Sequence, residues 1–185
     1  MVLMGLTAVW AEDNPARPKG GAGNSIYGID QDLEMSQAMY LSSTMLFPSE
    51  TMCFAGLGYH YSIVNYMRTG ASLGFAMCGV GDYSPEYGMN VTVNFGAQLP
   101  LILGPVELIP YVTPDIGFTF LPKNRTTRMN YGMIAGMELM IPFTDNALIF
   151  GVDYNLQGLS NIGRGARSLN EGAVHGVGVH LGMAF

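Results

Sequence analysis

Residues 173–185 read AVHGVGVHLGMAF, and this closing stretch alternates between two kinds of side chain. The odd positions from 177 onward carry large residues: Val177, Val179, Leu181, Met183 and Phe185. The even positions from 176 onward carry glycine, histidine or alanine. A period of two places successive side chains on opposite faces of a β-strand. In a soluble sandwich the apolar face would point into a core, whereas in a membrane barrel it would face lipid around a small or polar lumen.

The composition of the chain favours the membrane alternative. Of the 185 residues, 49% are apolar and 12% are charged, which is about half the charged fraction usual in a soluble domain. No apolar run approaches the roughly 20 residues of a membrane helix, so a helical membrane protein is disfavoured. The net charge of −6 and the lack of a basic stripe argue against nucleic acid as a partner.

The amino terminus has the features of a secretory signal. Residues 2–10 are apolar, Val9-Trp10-Ala11 has the small or moderate side chains of a cleavage site, and the chain then turns polar at Glu12. No Lys or Arg precedes the apolar run, which departs from the usual pattern. We predict that residues 1–11 are what remains of a signal peptide, cleaved after Ala11.

Two further segments follow. Residues 12–34 are rich in Pro and Gly and predict a flexible lead-in, within which residues 26–30 fit either a short extra strand or a plug-like segment. Residues 35–185 predict the barrel. Cys53 and Cys78 fall on opposite faces of their strands, so we predict that they are unpaired small residues.

Eight alternating segments separated by turn signals make up the predicted barrel. They are residues 35–46, 51–66, 71–81, 89–101, 107–121, 129–141, 147–159 and 173–185. A tilted strand needs roughly 9–11 residues to cross the hydrocarbon layer, whereas globular strands average about 5–6. In the fourth segment Asn90, Thr92 and Asn94 lie opposite a row of Val, Phe and Leu, which is hard to place in a soluble core. A soluble lipocalin-like barrel, with its apolar face inside, is the alternative that low charge and the terminal aromatic disfavour.

The connections between the segments predict the orientation. Short turns at Gly104-Pro105 and residues 142–146 follow even-numbered segments, whereas the long polar loops 122–128 and 160–172 follow odd-numbered ones. Outer-membrane barrels have short periplasmic turns and longer outer loops. An open sheet would expose unpaired edge groups to lipid. We therefore predict an all-β fold, an eight-stranded antiparallel up-and-down transmembrane β-barrel with both ends of the chain in the periplasm.

These features resemble the small eight-stranded bacterial outer-membrane barrels of the OmpW, OmpX and OmpA-barrel type. The resemblance covers residues 35–185 and implies a location in the bacterial outer membrane, surrounded by its lipid. It also implies that the last strand, ending at Phe185, is recognised by the barrel-insertion machinery. Residues 99–112 (LPLILGPVELIPYV) resemble a turn region of OmpW-like sequences.

Ionisable residues on the predicted inner face are the candidates for lining the lumen. They are His60, Asp115, Glu138, Asp153 and His180. No Lys or Arg falls on a predicted inner face, and Arg68-Thr69-Gly70 is predicted to be a short turn. Either these groups bond to inner amides, hydroxyls and waters, or they line a narrow, mildly acidic lumen that favours cations or neutral solutes. Eight strands leave room only for side chains or one small ligand.

Basic residues in two predicted outer loops are the candidates for surface contacts. They are Lys123, Arg125, Arg128, Arg164 and Arg167. They are either solvated loop charges or contacts for anionic lipid head groups and for host or surface molecules.

Enzymatic, metal and cofactor functions are disfavoured. His60 and Ser62 share a face, as a base and a nucleophile would, but at a mid-membrane depth that a lipid substrate cannot easily reach. His175 and His180 fall on opposite faces, so a two-histidine metal site is disfavoured, and no cofactor is expected. We expect a narrow channel or small-molecule transport barrel; the alternative is a plugged structural or adhesion barrel whose loops bind surface molecules.

Overall fold

The computed structural model describes residues 37–47, 51–64, 66–79, 85–123, 125–143, 146–162 and 171–185. The predicted signal peptide and lead-in lie outside these residues. The described residues form nine strands: β1 (Gln37–Leu46), β2 (Met52–Val64), β3 (Met67–Cys78), β4 (Glu86–Gln98), β5 (Leu101–Leu103), β6 (Val106–Leu121), β7 (Thr126–Phe143), β8 (Asn146–Ile162) and β9 (Glu171–Ala184). None of them contributes to a helix that is long and apolar enough to cross a membrane.

Eight long strands close into one antiparallel barrel. Consecutive long strands pair, β4 with β6 included, and β1 also pairs with β9, which completes the circle. The closing seam runs from Ala38 opposite Ala184 to Leu46 opposite Gly176. Closure gives the backbone groups of every wall strand partners on both sides, which hydrocarbon cannot supply. The predicted eight-stranded antiparallel transmembrane β-barrel is confirmed.

The short strand β5 is an extension at one rim of the barrel. The sequence predicts one strand up to Leu101, but β4 ends at Gln98, and Pro100 has no N–H with which to continue the ladder. β5 then pairs with the first residues of β6 across a turn at Gly104. The φ of Gly104 is +67°, a conformation that glycine adopts at little cost.

β3 and β7 begin three or four residues earlier than the sequence predicts, and each extension brings an arginine into the wall. β3 begins at Met67, so Arg68 and Gly70 lie in the strand and the predicted turn at 68–70 is wrong. β7 begins at Thr126, so Arg128 lies in a strand and not in the preceding loop. In both places a polar, charged stretch has the composition of a turn, although its side chains continue the alternation of the strand.

The two faces of the wall are oriented as a membrane barrel requires. Val93, Phe150 and Val179 are each 49% exposed on the outside. Their neighbours Asn94 and Asp153 point into the barrel, where Asp153 contacts other inner side chains. The soluble-barrel alternative needs the opposite arrangement and is wrong. A belt of large apolar residues around a polar interior is the pattern of a transmembrane barrel.

The interior is layered along the barrel axis. One apolar cluster, the terminal-side cluster, lies where both ends of the wall meet: Ala38, Ile109, Met140, Ala147, Ile149 and Ala184. A second, the loop-side cluster, lies near the opposite rim: Leu46, Met52, Cys78, Leu121, Leu159 and Val174, with Phe54 packed against it. Asp115, Glu138 and other polar inner residues lie between these two layers, whereas Glu107 lies at the level of Met140 on the terminal side.

Candidate functional site

An ion pair crosses the interior between β3 and β7, which are separated in the wall by β4 and β6. Arg68 Nη2 donates to Glu138 Oε1 at 2.8 Å, and the two side chains are 5% and 1% exposed. Arg68 Nη2 also lies 2.8 Å from His60 Nδ1 on β2, where the imidazole nitrogen accepts. The pair therefore links three strands through the middle of the barrel.

His180 extends this ion pair to a second carboxylate. Its Nε2 lies 3.0 Å from Glu138 Oε1 and its Nδ1 lies 3.2 Å from Asp153 Oδ2. Only an imidazolium donates from both ring nitrogens, so this geometry suits a protonated His180. The Tyr111 hydroxyl donates to the other oxygen of Asp153, and the Tyr111 ring lies 4.1 Å from Arg68 Cζ as a cation–π partner.

Aromatic rings and glycines fill the space around this ion-pair network. The Tyr40 ring lies 5.8 Å from the ring of His60 and 5.0 Å from that of His180. A Cβ on Gly58 would lie 2.1 Å from the Tyr40 ring, and a Cβ on Gly151 would lie 2.1 Å from the His180 ring. A larger residue at either position would therefore force the neighbouring ring to move, because the ring occupies the volume of the new side chain.

The ion-pair network balances its own charge. Arg68 and His180 supply two cations, and Glu138 and Asp153 supply two anions, all within contact distance. Breaking a buried pair by removing one partner costs about 3–5 kcal/mol because it leaves an uncompensated charge. The network lies across the interior, with an apolar cluster beyond it on each side.

A second polar layer lies between the ion-pair network and the loop-side cluster. Gln157 Nε2 donates to Asp115 Oδ1 at 2.8 Å, Asn90 Nδ2 donates to Thr119 Oγ1 at 2.9 Å, and Thr92 Oγ1 donates to Asn90 Oδ1 at 2.9 Å. Asn90, Thr92, Asp115 and Gln157 line a cavity of about 80 Å³. An apolar cavity of about 150 Å³ holds benzene, so a polar one of this smaller volume has room for a few waters or a very small polar molecule.

All five lumen candidates have their side chains inside the barrel. His60, Glu138, Asp153 and His180 meet in the ion-pair network, whereas Asp115 lies in the second polar layer. The expectation that no Lys or Arg points inward is wrong, since Arg68 is 4% exposed at the centre of the network. Arg68 is separated by an even number of residues from Ser72 and Ala76, which lie on the predicted inner face of the third strand. A predicted strand that began at residue 67 would therefore have placed Arg68 inside the barrel.

The five loop candidates have different positions. Lys123 and Arg125 lie exposed in the connection between β6 and β7. Arg128 differs from the prediction, because it belongs to β7 and its Nη1 lies 3.6 Å from the inward Met52 Sδ. Arg164 and Arg167 lie outside the described residues.

His60 and Ser62, and likewise His175 and His180, contact other residues and not each other. Ser62 Oγ accepts from Gln98 Nε2 at 2.9 Å, whereas His60 contacts Arg68 and Glu138. His175 lies on the outer face and bonds to the Tyr154 hydroxyl. Within the described ranges, no group of three or more His, Cys, Asp and Glu side chains could hold a metal ion.

Comparison with solved structures finds similar barrels. The crystal structure of the outer membrane protein OprG from Pseudomonas aeruginosa matches with a TM-score of 0.50 and 11% identity, over 83% of this chain and 98% of that one. The chain has the fold of a small outer-membrane β-barrel. A chain from work on the de novo design of transmembrane β-barrels matches with a TM-score of 0.39 and 15% identity, over 84% of this chain and 98% of that one. Neither a family model nor a curated protein sequence matches the chain.

Proposed function

We propose that this protein is a bacterial outer-membrane barrel with a plugged lumen, and that it acts through its outer loops. The observation that carries the proposal is the Arg68–Glu138 ion pair, which lies across the interior with an apolar cluster on either side. A solute passing through the lumen would have to separate this pair and displace both clusters. A partner that binds the outer loops would leave the ion pair and both clusters in place.

The proposed location rests on the outer surface of the wall. The eight wall strands have 10 to 18 residues, and a tilted strand crosses hydrocarbon in roughly 9–11. The protein would be surrounded by outer-membrane lipid and would be assembled by the barrel-insertion machinery through β9. Host or surface molecules would be the partners of the loops.

A narrow channel or small-molecule transport barrel is the second candidate function. The observation that favours it is the polar cavity of about 80 Å³ beside Asp115, which would serve as an intermediate binding site for a small solute on its way through the barrel. Transport would require a second conformation in which the ion-pair network opens.

Planar-bilayer recording of the refolded protein separates the two proposals. The plugged barrel predicts no discrete conductance steps above those of a protein-free membrane. An open porin reconstituted in the same way shows that the assay detects a pore. Reproducible steps from the wild-type protein, or solute uptake into liposomes that contain it, would contradict the plugged barrel and support the channel.

A further inference from the structure

Asp115 differs from the two other carboxylates in the middle of the barrel. Glu138 contacts Arg68, and Asp153 contacts His180, so each of these acids faces a cation. Asp115 is 8% exposed, and in the described part of the chain its carboxylate has the Gln157 amide as its one polar contact. A buried carboxylate without a basic side chain either takes up a proton or is paired with a cation from outside the chain, and the cavity beside Asp115 has room for a small one.

Two further polar atoms at the same cavity lack partners. Gln157 Oε1 is an acceptor and Asn155 Nδ2 is a donor, and neither has a hydrogen bond to another described residue. Gln157 is 3% exposed and Asn155 is 5% exposed, and both line the cavity together with Asp115. Buried polar groups are nearly always bonded, so the cavity offers two acceptors and one donor to whatever fills it.

From these atoms we infer that the cavity is a binding site for a small protonated amine. The ammonium group donates to the Asp115 carboxylate and to Gln157 Oε1, and a ligand oxygen or an accompanying water accepts from Asn155 Nδ2. Scaled against the roughly 150 Å³ that hold the six carbons of benzene, a cavity of about 80 Å³ limits the ligand to about three or four non-hydrogen atoms.

Other ligand classes fit the cavity less well. An anion would meet the Asp115 carboxylate, and an aromatic molecule exceeds the volume. A bare metal ion such as Ca²⁺ takes six to eight oxygen ligands, whereas the lining of this cavity includes Asn155, whose Nδ2 donor has no partner among the described residues. An ammonium group uses the carboxylate and the amide oxygen as hydrogen-bond acceptors and tolerates a neighbouring donor.

Methylammonium is the probe for the test. The protein is refolded in detergent in the presence of methylammonium chloride, so that the ligand need not enter a closed barrel, and sodium chloride and tetramethylammonium chloride serve as references at equal ionic strength. NMR follows the side-chain amide signals of Asn155 and Gln157. We expect a saturable shift of these signals with methylammonium and none with tetramethylammonium, which is too large and has no N–H.

Two variants and one matched control define the site. Asp115→Asn and Gln157→Met should each weaken methylammonium binding at least tenfold. Glu107→Gln neutralises another inward carboxylate of β6, 4% exposed at the terminal side, and should leave binding unchanged. No saturable shift in the wild-type protein, an equal shift with sodium, or undiminished binding in Asp115→Asn would each overturn the inference; the wild-type titration decides even where a variant does not fold.

Discussion

Arg68 on β3 and Glu138 on β7 form a buried ion pair across the interior of the barrel, with 2.8 Å between Nη2 and Oε1. Several of its polar atoms, Arg68 Nε, Arg68 Nη1 and Glu138 Oε2, have no hydrogen-bond partner among the described residues. An incompletely bonded buried pair is weak evidence for net stabilisation, whereas removing one member is costly. We therefore expect the pair to contribute little net stability, although the loss of either member alone should be costly.

Neutralising one member of the pair should destabilise the barrel. Glu138→Gln leaves Arg68 buried without its carboxylate, and we expect a loss of about 3–5 kcal/mol in the free energy of unfolding. Urea unfolding of the protein refolded in lipid measures this loss. Lys123→Gln, at an exposed position in the connection between β6 and β7, should change stability by less than about 0.5 kcal/mol.

Removing both members of the pair should cost less than removing one. The double variant Arg68→Met/Glu138→Leu leaves no charge of this pair uncompensated, so its stability should exceed that of Glu138→Gln. The same urea unfolding measures it. A double variant that is less stable than the single one would show that the pair contributes more to folding than its geometry indicates.

Adding one methyl group at Gly151 should displace His180 from the ion-pair network. The new Cβ would lie 2.1 Å from the His180 ring, and overpacking of this kind costs about 1–3 kcal/mol. Gly151→Ala should therefore be destabilising in the wild-type protein and nearly neutral in a His180→Ala background. A double-mutant cycle measures the difference, and equal costs in both backgrounds would show that the contact with His180 is not the cause.

A charge on the outer face should have a cost that depends on depth. Val93 lies in the interior of β4, so Val93→Arg should cost about 2–4 kcal/mol in a lipid bilayer, whereas a site near the interface costs about 0–1. Ile162→Arg, at the last residue of β8, is the matched control near the rim. Unfolding in vesicles measures both, and a cost at residue 162 as large as that at residue 93 would contradict the proposed depth.

The proposed surface function makes its own prediction. Arg164→Gln/Arg167→Gln should lower the binding of the protein to vesicles or matrices with anionic groups, because such contacts depend on basic residues near the surface. Lys123→Gln/Arg125→Gln tests the other loop in the same assay. Retention of full binding in a variant that lacks residues 163–170, with unchanged barrel stability, would contradict a role for this loop.

The strands were predictable because lipid on one side and an enclosed lumen on the other impose a strict period of two. Alternation located all eight wall strands and placed Asp115 and Glu138 inside. It failed at Pro100, where the lost N–H separates β5 from β4, and at Arg68, where a charged residue beside Thr69 and Gly70 imitates a turn.

The contacts of the ion-pair network could not be predicted from local sequence patterns, for a different reason. Arg68 and Glu138 are 70 residues apart, and their contact depends on the register and closure of the whole barrel. The contrast between Glu138, which has a cation, and Asp115, which has an amide, likewise follows from which inner side chains share a level. No spacing in the sequence carries that information.

Quenching by brominated lipid tests most directly which face of the wall meets hydrocarbon. In a Trp10→Phe background, Phe75→Trp and Phe54→Trp place single tryptophans at nearly the same depth, because Ala55 pairs with Phe75. Phe75 is 53% exposed on the outside, whereas Phe54 packs against the loop-side cluster. We predict strong quenching by acyl-chain bromines for Phe75→Trp and weak quenching for Phe54→Trp; equal or reversed quenching would contradict the assignment of the two faces.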